Sequence, residues 1–337
     1  MTVARPRFRL LAPALAAGAV VLAAAGCGGS GSSEPAATAA PVPPAVKAAQ
    51  RVPLAQFPKP NGRSLQDVAG QLQPGPQVGL ASSVFTPGVN RLAFGLIASG
   101  GGFLYAPSAV YVARTPGSPA QGPFPAPADP MSVRPPYQSR TAAADGDDIK
   151  AVYAAHVPLR ESGRYAVLVA SRSGGKLLGG TTTIDVAKRT AIPGVGQRPP
   201  AISTPTVASA GGDIRSIDTR IPPDDMHQVS FKDALGHKPV ALLFATPQFC
   251  QSRVCGPVTD IAVQMQAAYG KRMAFIHNEV YRDNNPKKGL RPQLLAFNLR
   301  TEPWLFVVNR KGVIVARLEG AFGVDAFRAA VLKGLQS

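Results

Sequence analysis

Between positions 77 and 188 apolar residues come in short alternating runs, broken by clusters of Gly, Pro and Ser. The runs at 91–97, 109–113, 150–156, 165–170 and 181–186 predict strands, because alternation at period two puts one face of each toward a core. Several such strands in series predict an all-β sandwich. Beyond 212 the pattern changes. The run 240–245 is continuously apolar, with Pro239 and Pro247 close on either side, and reads as a strand buried on both faces. Val258, Ile261, Ala262, Met265 and Ala268 then recur at helical spacing, which predicts a helix over 257–269. The same reading gives a strand at 273–280, a helix near 291–299, a strand at 304–309, a turn at 309–312, a strand at 313–318 and a helix at 323–334. The C-terminal part is therefore β-α-β, then α, then a β-hairpin, then α.

Composition adds punctuation to this pattern. The chain has 34 Gly and 34 Pro in 337 residues, concentrated between the patterned segments. Residues 28–46 are Gly, Ser, Ala and Pro with little else, a composition that cannot bury enough surface to offset its ordering entropy. The expected organisation is a leader at 1–26, a flexible tether over 27–76 with one short helix near 64–72, a β-sandwich at 77–188, a linker at 189–212 and an α/β domain at 213–337. The Pro-rich stretch 116–136 is expected to be an exposed loop. Lys and Arg outnumber Asp and Glu by 36 to 19, a formal charge of +17, which favours anionic surfaces. The basic residues are scattered and no nucleic-acid-binding motif occurs, so an anionic lipid surface is the expected partner and nucleic acid is not.

The leader carries Arg5, Arg7 and Arg9 ahead of an apolar segment at 10–25, the pattern of a secretory signal. It ends in small residues before Cys27 and resembles the bacterial lipobox, with Ala24 where Leu is commoner. The resemblance implies that Cys27 is lipidated and that the protein is exported and held on the cell membrane. Of three cysteines, Cys250 and Cys255 then remain, and in an oxidising compartment two cysteines this close are expected to pair.

Glu161 to Tyr165 resembles the corner at the start of the penultimate strand of immunoglobulin-like domains, where a Tyr hydroxyl caps the preceding turn; Val167 stands where antibody domains carry Cys. From Val229 to Leu335 the element order is similar to that of the thioredoxin fold. Glu302 and Pro303, ahead of Trp304 and the hairpin, resemble that family's cis-proline segment, which implies that Pro303 faces the cysteines. The implied chemistry is thiol–disulfide exchange with a partner's thiol or disulfide, Cys250 as attacking thiolate and Cys255 as resolving partner, with no cofactor and no metal. The family usually has two residues between the cysteines and Trp before the first; here there are four, and Phe249. Residues five apart in one regular helix have Cα atoms about 8–9 Å apart, whereas a disulfide needs less than about 7 Å. Cys250 is therefore expected in the loop and Cys255 at or just before the helix start.

Three other readings of the pair stay open. It could be a structural staple in a binding or scaffold protein. The spacing is also similar to that of bacterioferritin-comigratory peroxiredoxins, but Thr246 lies four residues before Cys250 rather than three, and Pro303 stands where an activating Arg belongs. A copper carrier of the Sco type would need a histidine, and His277 on the strand at 273–280 is the candidate, although a structural histidine is the simpler reading. Arg253 could lower a thiol pKa or be an exposed loop residue. Glu279 reads as a proton shuttle or a solvent-facing carboxylate, Trp304 as core, His156 as structural or surface, and His227 and His237 as loop residues.

Overall fold

The alternating segments fold as strands, each extending further than its apolar pattern. β1 is Gln73–Pro74, β2 Gln77–Leu80, β3 Gly88–Ile97, β4 Ser108–Ala113, β5 Gln121–Pro125, β6 Ala128–Pro130, β7 Ala151–Leu159, β8 Gly163–Ser173 and β9 Lys176–Val186. They form two sheets, ordered β1-β9-β8-β4-β5 and β2-β3-β7-β6. Leu92, Phe94 and Leu96 from one meet Val110, Val112, Val167 and Val169 from the other in a shared core. This computed structural model describes residues 1–2, 40–140, 149–250 and 253–337. Cys27 and the rest of the leader beyond Thr2 lie outside the described residues, as do Gln251 and Ser252.

Two stretches depart from the sequence reading. The stretch 116–136 contains β5 and β6, with Ala126, Ala128 and Met131 buried, because its few apolar side chains close the edges of both sheets. The expected tether is folded over its described part. Helix α1 (Pro44–Ala49) buries Val46 and Ala49, and helix α2 (Leu65–Ala69) starts at Ser64 with a reciprocal cap to Asp67. Phe57, Leu65 and Val68 cover Ala109, Tyr111 and Leu168 on the outer face of the larger sheet. Burying one such side chain is worth about 1.5–3 kcal/mol, so three anchors hold a segment whose prolines already restrict its backbone.

The C-terminal part has the order expected from its pattern. β10 is Val240–Phe244, β11 Ala274–Asn278, β12 Trp304–Val308 and β13 Ile314–Glu319, with helices α3 (Phe231–Ala234), α4 (Cys255–Tyr269), α5 (Pro292–Ala296) and α6 (Val324–Gln336). The sheet order is β11-β10-β12-β13, with β10 parallel to β11 and antiparallel to β12. β10 is buried throughout. Ala241 and Leu243 face α4 and α6, while Val240, Leu242 and Phe244 face an aromatic layer of Phe231, Phe297, Trp304 and Phe306.

The two parts share a core. Ala93, Met131 and Val152 of the sandwich join the cluster formed by α4 and α6. Asp129 of β6 reaches the start of α6, where its carboxylate accepts from the N–H groups of Gly323, Asp325 and Ala326 at 2.8–3.2 Å. Helix N-termini leave such donors unpaired, and here a residue about two hundred positions upstream supplies the cap. Glu319 accepts from Ser83 N–H and Oγ–H, and Arg91 donates to the carbonyls of Glu319 and Ala321. Gly320 has φ +71°, and a Cβ there would run into the Ala81 carbonyl. The expected linker is a strap along β13: Gly196 N–H donates to the Ile314 carbonyl, Ile314 N–H to that of Gln197, and Ile192 is buried in the aromatic layer.

Removing the cap should loosen this joint. Asp129→Ala is expected to cost about 1–2 kcal/mol, the upper range for a lost helix cap, read as a lowered midpoint in chemical denaturation of the full chain.

Candidate functional site

The cysteine loop leaves the end of β10 and enters α4. Cys255 is the first residue of α4, is wholly buried and belongs to the core cluster of that helix. Cys250 lies in the loop before it and is half-buried. The two are disulfide-bonded with Cα atoms 5.9 Å apart, inside the range a disulfide requires. The expected placement of loop and helix start is therefore found. The first N–H groups and dipole of a helix of 15 residues favour negative charge at its N-terminus, which stabilises a thiolate there. That help falls on the buried Cys255, whereas Cys250 is the less buried of the two residues.

Pro303 precedes β12, and its bond to Glu302 is cis. Phe244 pairs with Trp304, so Pro303 lies level with Ala245, at the end of β10 from which the cysteine loop departs. Its carbonyl accepts from Gly320 N–H. A cavity of about 590 Å³ opens at this end, lined by Val254, Thr301, Glu302 and Gly320 from the α/β part and by Leu80, Phe85, Ile97 and Phe103 from the sandwich. Its walls are mainly apolar, and Leu80 and Phe103 are exposed beside it. Glu302 is half-buried there, and burial holds its carboxyl above the ordinary range.

The remaining sequence candidates divide. Arg253 is exposed at φ +58°. Phe249 is half-buried against Tyr281, ring centroids 6.4 Å apart. Trp304 is core, stacked on Phe306 and donating from Nε1 to Thr301 Oγ1. His156 and His237 are exposed. Glu279 is neither solvent-facing nor in the loop: it is buried and accepts from Thr219 N–H and Oγ–H. Burial raises its carboxyl above the ordinary range.

His277 faces away from the Sco-type reading. Its nearest acidic and histidine neighbours are Asp218, Asp224 and His227, all buried, and neither cysteine belongs to that group. Burial alone would push the His277 imidazole down, but the carboxylates of Asp224, Asp218 and Glu279 outweigh it and raise the pKa to about 10. The reading of His227 as a loop residue without a role is thus corrected: it is 1% exposed, with its ring 5.2 Å from that of His277. Chain separation hid this pairing, since the segment around 218–227 has no regular pattern and is ordered by its own side chains. Asp218 accepts from Arg220 N–H and Asp224 N–H, Asp224 accepts from Met226 N–H, and Arg220 bridges to Asp260 of α4 at 2.9 Å.

No family model matches this chain, and no curated protein does. Among solved structures it is similar to one from Chlorobium tepidum described as a Thiol:disulfide interchange protein, DsbE. The match covers 42% of this chain and 99% of that one, at 17% identity and a TM-score of 0.31. At that level of likeness the functional reading rests on this chain's own geometry.

Two outcomes test the setting of the site. Arg220→Ala leaves the Asp260 carboxylate buried without its cation, held by Ser139 N–H at 2.8 Å, and should cost about 3–5 kcal/mol in denaturant unfolding. Glu302, with its folded pKa raised, holds its proton more tightly folded than unfolded, so its contribution to stability falls as pH rises above the ordinary Glu value of about 4.3. Glu302→Gln should therefore gain stability relative to wild type as pH rises from about 4 through neutrality, read from paired thermal melts.

Proposed function

We propose that this protein is a thiol–disulfide oxidoreductase of thioredoxin type, exported and held at the membrane through Cys27. The observation that carries the reading is a disulfide between Cys250, a half-buried loop residue, and Cys255, a buried residue at the start of a long helix. Pro303 stands level with the strand end from which the cysteine loop departs. In the oxidised protein a partner thiolate attacks Cys250 Sγ. A bond forms between the partner sulfur and Cys250, the Cys250–Cys255 bond breaks, and Cys255 leaves as a thiolate stabilised by the helix N-terminus. The partner's second thiolate then attacks the mixed disulfide, releasing the Cys250 thiolate and an oxidised partner, and two electrons end on the Cys250–Cys255 pair. The apolar cavity beside Val254 and Glu302 suits an extended segment of the partner carrying the reacting cysteine. Support for export and anchoring comes from the Arg-flanked apolar leader and the lipobox-like residues before Cys27.

We read the sandwich as immunoglobulin-like. Its orders β2-β3-β7-β6 and β1-β9-β8-β4-β5 follow the ABED and GFC arrangement with two added edge strands, β1 and β5. Tyr165 Oη accepts from Glu161 N–H at 3.1 Å at the start of the penultimate strand. A second reading, a structural staple, is favoured by the complete burial of Cys255 in the core.

The reduction potential of the pair separates the two. Thiol trapping across a dithiol redox series should place it between roughly −270 and −120 mV, and Cys255→Ser should accumulate a mixed disulfide through Cys250. A potential below about −300 mV would establish the staple instead.

A further inference from the structure

Four buried side chains converge on the end of the sheet beside the cysteine loop without taking part in thiol exchange. Asp218, Asp224 and His227 come from one segment, His277 from β11. One ligand atom from each lies within 4.8 Å of all the others. Each imidazole is nearest a different oxygen of each carboxylate: His277 Nδ1 is 2.9 Å from Asp224 Oδ2 and 3.9 Å from Asp218 Oδ1, and His227 Nε2 is 3.5 Å from Asp224 Oδ1 and 3.7 Å from Asp218 Oδ2. Tetrahedral zinc with bonds of about 2.0–2.1 Å sets its ligand atoms about 3.3–3.4 Å apart, within the span of these nitrogen–oxygen distances.

The ring nitrogens point the same way. His277 Nε2 is 3.1 Å from the Ala245 carbonyl, which can only accept, so Nε2 carries a hydrogen. Nδ1 donates to Asp224 Oδ2 at 2.9 Å, so a cation bound there takes the place of the Nδ1 proton. His227 is 1% exposed, and among the described residues neither ring nitrogen has a hydrogen-bond partner; its Nε2 is aimed at the same two carboxylates. A buried imidazole without a hydrogen bond costs free energy, and a cation at the centre would take up its lone pair. The carboxylates are also held from behind. Arg220 N–H donates to Asp218 Oδ1, Asp224 N–H to Asp218 Oδ2 and Met226 N–H to Asp224 Oδ1, at 2.6–2.9 Å. Such outer contacts orient ligands around a metal.

We propose that Asp218, Asp224, His227 and His277 form a closed, four-coordinate site for a divalent transition ion, Zn²⁺ by ligand type and geometry. Two carboxylates balance the charge of the ion once it has displaced the Nδ1 proton of His277, so binding releases a proton and weakens as pH falls. Four protein ligands and full burial make it a structural site. The ion fastens the 218–227 segment to β11. Thr219 of that segment in turn holds Glu279 and accepts from Gln248 N–H in the cysteine loop. The site does not depend on the redox reading of the cysteines.

The test uses the full, untagged chain with the Cys250–Cys255 disulfide intact and any remaining thiol alkylated, so that no thiolate can bind. After chelation and dialysis, Zn²⁺ alone is titrated by calorimetry. The expected result is one ion per chain, a raised melting midpoint, and affinity lowered by roughly 100-fold or more in His227→Gln. Co²⁺ should give the visible bands of a tetrahedral N/O site without thiolate charge transfer. Should the variant fail to fold, the wild-type titration and Co²⁺ spectrum decide alone. Absence of stoichiometric Zn²⁺ binding by the wild type would overturn the site and leave an imidazolium–carboxylate network. Equal binding by a folded His227→Gln would overturn it as well.

Discussion

Burial of β10 on both faces is the constraint from which the rest follows. A strand sealed between α4 and α6 on one side and an aromatic layer on the other must pair every backbone group, and it does so with β11 and β12. That pairing fixes three things at one end. The cysteine loop starts where β10 stops, Pro303 is brought level with Ala245, and His277 is placed where its Nε2 meets the Ala245 carbonyl. Each chemical feature of this end is thus one residue from a ladder that cannot slip, because a shift of one residue would turn Leu242 and Phe244 to the wrong face.

Much of this architecture was legible in the chain because period two and period 3.6 are local signals. The run 240–245, the helix spacing from Val258 and the Tyr165 corner each need only a few neighbouring residues. The distance argument on Cys250 and Cys255 was local too, and it placed the start of α4 correctly. What stayed hidden depends on contacts between distant residues. Phe57, Leu65 and Val68 look like stray apolar residues in a Pro-rich tether until the outer face of β4 and β8 is present to receive them. Asp129 is one carboxylate in a Pro-rich stretch until α6 arrives above it. His227 had no pattern around it, and its significance lies in a partner fifty residues later.

Burial and accessibility divide the labour at the sheet end. Cys250 and the cavity beside Glu302 remain within reach of another molecule, while Cys255, Asp260, His277 and Glu279 are sealed. Arg220 links the sealed groups to one another, since it binds Asp260 of α4 and belongs to the segment that carries Asp218 and Asp224. The end of the sheet that carries the disulfide is therefore backed by polar groups that are held in fixed geometry, which keeps the disulfide from depending on the loop alone.

The strap along β13 has a consequence for assembly. A sheet whose outermost strand is free offers its unpaired amides and carbonyls to any passing chain and invites end-to-end growth. Here Ile314 is engaged at both its amide and its carbonyl by residues 196–197, and Arg91 and Ala81 take up the backbone where β13 ends. Crowded molecules of this protein therefore meet an edge held at both ends, at Ile314 and beyond Glu319, with only the short run between them left to pair. A visiting polypeptide finds a ladder of a few residues there rather than a full strand.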